Sequence, residues 1–162
     1  MAESEGRTDR SDGSTGNTSK RALRIVAVQA AAVSAAAHLL WAWPRLSDPA
    51  DPRPYVLVLA AAFTAVVAAA TLRADEYRRL YALGAGTLAA SLVGYVAWHG
   101  GATVPALSAD PLAIVGKAAE VVGAIAFLGL YRLAPPTSVV VARRTGGASD
   151  GDGAERPESD DG

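Results

Sequence analysis

Residues 55–72 read YVLVLAAAFTAVVAAATL, and this stretch decides the fold. It is eighteen residues long and carries no charged side chain. A helix on the surface of a water-soluble protein keeps a polar face toward solvent, and this one has none to offer. At ~1.5 Å of rise per residue it approaches the ~30 Å thickness of a hydrocarbon layer. Pro54 precedes it, where a missing N–H costs nothing in a first turn, and Arg73 follows it.

Three further stretches are of similar length and largely apolar. Residues 25–43 begin after Lys20, Arg21 and Arg24 and stop at Pro44. Residues 77–98 follow the short link 73–76, in which Asp75 is placed to cap the third helix. Residues 111–133 follow Gly100, Gly101 and the pair Asp110-Pro111, a helix-start signal with Asp as cap and Pro in the first turn. The last stretch is longer than a bilayer core requires, so some tilt is expected. Residues 44–54 hold four prolines with Asp48 and Asp51 and read as an irregular, solvated loop. Ala35-Ala36-Ala37 imitates a signal-peptide cleavage site, but the polar leader is long and the apolar block exceeds the usual ~7–15 residues, which favours an uncleaved helix.

The expected fold is therefore all-α: an integral membrane four-helix bundle over residues 20–134. A disordered polar N-terminal tail (1–19) precedes it and a mostly disordered acidic C-terminal tail (135–162) follows. Neither tail has an apolar period, apart from a brief extended possibility at Val139-Val140-Val141, and the stretch from Thr145 onward holds six acids against one arginine.

Composition bounds the function. A net charge of −1 over 162 residues gives no electrostatic case for nucleic acid, so none is expected as a partner. The absence of cysteine excludes disulfides, thiolate metal sites and cysteine nucleophiles. Mean hydropathy is only +0.20 because the polar ends dilute the apolar blocks. No G-x-S-x-G, H-E-x-x-H or phosphate-binding glycine loop occurs, so an enzyme is not expected.

Positive residues set the expected orientation. Lys20, Arg21, Arg24, Arg73, Arg78, Arg79, Arg132, Arg143 and Arg144 fall at one end of such a bundle, and only Arg45 and Arg53 at the other. The positive-inside rule then places both termini in the cytoplasm of a multi-pass cell-membrane protein. Trp41, Trp43, Tyr55 and Trp98 mark the outer interface, and Tyr77, Tyr81 and Tyr131 the inner one.

Within a bilayer, close approach of small residues has to assist helix association. Gly86, Ala90 and Gly94 form one such ridge, and Gly116, Ala119 and Gly123 another; both are expected to serve packing inside the bundle. Residues 30–37 are nearly all alanine. No internal repeat suggests an inverted-repeat transporter.

The polar residues inside the apolar blocks are the candidate site. Glu120 lies about ten residues into the fourth stretch, too deep for its side chain to reach either interface. Lys117 is one turn away on the same face, able to pair with it or to extend outward along its stem. Helix 1 brings Gln29, Ser34 and His38; counting back from Pro44 puts His38 near the depth of Lys117, so Glu120, Lys117 and His38 form a candidate intramembrane cluster. Thr64 and Ser91 are placed to add hydrogen bonds. His38 lies deeper than His99, which disfavours paired haem ligation, and two histidines without a carboxylate cluster make a poor metal site. No cofactor is expected.

In length, topology, alanine-rich helices and acidic tail the chain resembles the small four-helix membrane proteins of haloarchaea. The resemblance spans the whole chain, rests on architecture and composition, and carries over no residue roles. Two functions follow as expectations. One is a non-catalytic accessory or scaffold subunit, whose partners are the lipid bilayer and a second membrane protein or further copies of itself. The other is a bundle that moves protons or a small solute with Glu120 as the titrating group.

Overall fold

The computed structural model describes the backbone of residues 12–73 and 77–135, with side chains from Thr18 onward. Every regular element among them is helical: α1 (Asp12–Ala42), α2 (Arg53–Arg73), α3 (Arg78–His99), a short α4 (Thr103–Ala109) and α5 (Pro111–Leu133), with single 3-10 turns at Trp43–Arg45 and Gly100–Ala102. Four helical spans are long and apolar enough to cross a membrane.

Two boundaries differ from the sequence expectation. α1 starts at Asp12, well before residue 25 and inside the segment read as a disordered tail. Once a packed helix is nucleated, each added residue gains one hydrogen bond for little further ordering, so polar residues are carried along. Thr103–Ala109 form a further short helix between the third and fourth expected spans. Gly100 leaves α3 at φ 52, a conformation suited to glycine, and Thr103 Oγ1 donates to its carbonyl at 2.7 Å as the chain turns into α4. Asp75, the expected cap of α3, and the acidic C-terminal tail lie outside the described residues, as do Met1–Ser11 of the N-terminal tail. Asp110 does cap α5: its Oδ1 accepts from the backbone N–H of Leu112 at 2.9 Å and of Ala113 at 3.3 Å.

α5 lies between α1 and α3, antiparallel to both. Contacts along the α1–α5 seam run Ala37 to Gly116, Ala30 to Gly123 and Leu23 to Gly129. On the other side Leu88 reaches Gly123, Phe127 reaches Gly84, and the Arg78 guanidinium stacks 4.3 Å above the Tyr131 ring. α2 packs on the far side of α1, touches α3 less extensively and α5 least. Arg24 Nε donates to the Thr71 carbonyl at 2.7 Å, tying the start of α1 to the end of α2.

The glycines that permit close approach are not all the expected ones. A Cβ on Gly123 would meet Leu88 Cδ1 at 2.6 Å and Ala30 Cβ at 3.1 Å, and one on Gly116 would meet Ala37 Cβ at 3.1 Å. Gly86 and Gly94 have nothing within 4 Å, so an intramolecular packing role for them is corrected: their ridge faces outward. The tight glycine on α3 is Gly84, where a Cβ would come within 2.8 Å of the Phe127 ring. Spacing of four residues defines a helix face but not the direction in which it points.

Side-chain distribution is reversed relative to a water-soluble bundle. The interior is rich in alanine and glycine, with Val67, Leu88, Phe127 and Leu130 among its few large apolar side chains, while Leu59, Val66, Val93 and Ile125 point outward at 64–71 % exposure. An outward apolar belt of this extent marks a surface that meets a membrane or another protein.

Candidate functional site

On α5 the buried residues Gly116, Glu120, Gly123, Phe127 and Leu130 recur at spacings of three and four and form one stripe. Glu120 belongs to that stripe, which is why its carboxylate points into the bundle and is fully buried. The same periodicity on α1 turns Ser34 and His38 toward it. The alanine–glycine contacts on either side, at Gly116 and Gly123, hold the two backbones close enough for a serine hydroxyl to reach across.

Glu120 is the hub of the cluster. Lys117 Nζ donates to Oε1 and to Oε2, each at 2.7 Å. Ser91 Oγ on α3 donates to Oε1 at 2.8 Å, and Ser34 Oγ on α1 donates at 3.3 Å. His38 Nε2 lies 3.1 Å from Oε1 and 3.3 Å from Ser91 Oγ. Lys117 also donates to Ser91 Oγ at 3.3 Å and sits 5.0 Å from the centre of the Tyr95 ring. A single carboxylate thus draws donors from α1, α3 and its own helix. Burying a charge this deep requires such pairing.

The sequence-derived set Glu120, Lys117 and His38 is brought together. Ser91 joins it as the α3 contribution, and Tyr95, one turn further along α3, was missed; its i, i+4 relation to Ser91 was the available signal. Thr64 stays outside: its hydroxyl donates to Ala60 O of its own helix at 2.8 Å. Gln29 is exposed and takes no part. His99 accompanies Tyr95, with ring centres 4.3 Å apart, and does not face His38.

Proton placement on His38 follows from hydrogen-bond accounting. With the proton on Nε2 the ring donates to Glu120, and Nδ1 is left as a buried lone pair with no partner. A second proton would create a buried N–H with nothing to accept it, a costlier arrangement.

The bundle interior is divided along its length. The cluster occupies the half nearer Trp41, Trp43 and Trp98, hereafter the tryptophan end. The other half, leading to the basic end, holds the buried apolar cluster of Ala27, Ala31, Val67, Ala68, Ala85, Leu88, Ala126, Phe127 and Leu130, and polar groups reappear toward the basic end at Tyr81, buried Thr71 and the Arg24 and Arg78 side chains. Leu88 and Phe127, the layers immediately beneath Glu120, are at most 1 % exposed. Among the described residues no three His, Asp or Glu side chains gather in a way that would hold a metal ion.

Comparison of the chain with family models, with curated proteins and with solved structures finds no match.

Proposed function

We propose that the chain is a multi-pass integral protein of the cell membrane, with both termini in the cytoplasm, acting as a non-catalytic accessory or scaffold subunit. The observation that carries this reading is the saturation of Glu120. Both carboxylate oxygens are engaged, and donors arrive from three helices. A group used in this way ties α1, α3 and α5 into one arrangement. The outward belt of large apolar side chains supports the bilayer setting, and the concentration of Lys20, Arg21, Arg24, Arg73, Arg78, Arg79 and Arg132 at one end supports the orientation. The open ridge of Gly86, Ala90 and Gly94 gives a neighbouring membrane protein, or a further copy of the chain, a surface that it can approach closely.

The test is the mass and composition of the intact assembly extracted in mild detergent at high salt. A stoichiometric second polypeptide supports the subunit reading; a lone monomer contradicts it. A second reading, movement of protons or a small solute through Glu120, is favoured by one observation: the unpartnered Nδ1 of His38 beside the ion pair. Flux in reconstituted vesicles that disappears in a folded Glu120→Gln variant would establish it, and unchanged flux would remove it.

A further inference from the structure

We infer that the polar cluster is a proton-binding site reached from the tryptophan end alone, so that acidity on that side loosens the tie between α1, α3 and α5. The inference rests on the membrane-spanning reading but not on any partner.

Access is one-sided because an apolar layer closes the cluster on its basic-end side. From the tryptophan end the polar groups form a descending series. Asp110 caps α5, and the His99 ring lies on Tyr95, with Nδ1 3.0 Å from that residue's carbonyl. The Tyr95 ring faces Lys117 at 5.0 Å, and Lys117, with its side chain 14 % exposed, reaches Glu120, which is 0 % exposed. Beyond Glu120 the series stops at Leu88, Gly123 and Phe127, where a methyl group of Leu88 already fills the space a Gly123 side chain would need. Water and protons find no donor or acceptor to lead them through that layer.

The groups facing the carboxylate are few. α1 supplies Ser34 and His38, α3 supplies Ser91 with Tyr95 beyond it, and α5 supplies Lys117. α2, behind α1, presents Thr64 and Thr71, whose hydroxyls are committed to carbonyls of their own helix. Ser108 on α4 is likewise committed, to Pro105 O.

The step is a simple protonation. A proton from water on the tryptophan side forms an O–H bond on Glu120, the carboxylate loses its charge, and the cluster gains one positive charge. Oε1 is the acceptor shared by Ser34, Ser91 and His38, so the donors of both α1 and α3 weaken together. Lys117, stripped of its counter-charge, has a four-carbon stem and partial exposure that let it turn toward the tryptophan end.

The test uses the full chain in oriented lipid vesicles with pH set separately on each side and infrared detection of the protonated carboxyl band. The part of the band that vanishes in Glu120→Gln belongs to Glu120. Its growth on acidifying the tryptophan side, with no change on acidifying the other, is the expected result. Growth from the basic-end side, or no Glu120 band at any pH at which the chain stays folded, overturns the inference. Because the chain contains no cysteine, a second measurement stands apart from that variant. Ser91→Cys is expected to react with a membrane-impermeant thiol reagent from the tryptophan side only, and Leu88→Cys from neither side. Reaction of Leu88→Cys from the basic-end side overturns one-sided access. A chain that proves to have no partner defeats the subunit reading and leaves these outcomes unchanged.

Discussion

Lys117 Nζ lies 2.7 Å from both carboxylate oxygens of Glu120, one turn further along α5. This i, i+3 pair sits on the helix face that α1 and α3 both cover, so it acts as the meeting point of three helices. Truncating the acid in Glu120→Ala would leave Lys117, His38, Ser34 and Ser91 without their acceptor. Loss of one partner of a buried pair costs about 3–5 kcal/mol, and a fall of that order is expected in the unfolding free energy measured in mixed micelles.

Gly123 and Gly94 separate the inner from the outer face of the bundle. In Gly123→Ala the new methyl meets Leu88 and Ala30, and overpacking of this kind costs about 1–3 kcal/mol. Gly94→Ala and Gly86→Ala meet nothing within 4 Å and exchange glycine for a better helix former, so stability stays level or rises by up to ~1 kcal/mol. The same micelle unfolding series reads all three. If an oligomer exists, Gly94→Leu is the variant that dissociates it while leaving the protomer folded.

Phe127 is fully buried in the core with its ring against Gly84. Phe127→Ala opens a cavity directly under the polar cluster and is expected to cost about 3–5 kcal/mol. It also removes the apolar layer that separates the two halves of the interior, so a cysteine at position 88 should become reactive toward thiol reagents in this background.

At the tryptophan end, Arg53 Nε donates to Asp51 Oδ1 at 2.8 Å. The Arg53 side-chain hydrogen bond, followed by the Arg53 backbone N–H, holds the Asp51 carboxyl below its ordinary value of 3.8. A depressed carboxylate contributes stability above its unfolded value and loses that contribution as pH falls through its folded one. The pair is solvated, so the effect on stability is small. Carboxyl NMR should show Asp51 titrating below 3.8 in the native chain and moving back up in Arg53→Gln.

Much of this arrangement was legible in the sequence because membrane-length helices leave few choices. Uncharged stretches such as 55–72 identified the four spans, Asp110-Pro111 marked the start of α5, and the i, i+3 spacing of Lys117 and Glu120 announced their pairing. Depth counted from Pro44 placed His38 beside them. The outward turn of Gly86 and Gly94 was not legible, because a face of small residues looks the same whether a neighbour covers it or not. Nor was α4: its composition resembles a loop, and the turn at Gly100 that launches it depends on a backbone angle. The apolar layer that separates the polar cluster from the basic end depends on which residues of four helices share a layer, which only the packing reveals.

The central claim is that Glu120 and Lys117 act as one unit within the bundle. A double-mutant cycle of Lys117→Met, Glu120→Met and the combined variant, unfolded in mixed micelles, tests it most directly. The expected result is two costly single variants and a combined variant that recovers about 1–3 kcal/mol relative to their sum, because neither charge is then left buried alone. Single-variant costs that add to within ~0.5 kcal/mol would contradict it, since independent sites behave in that way.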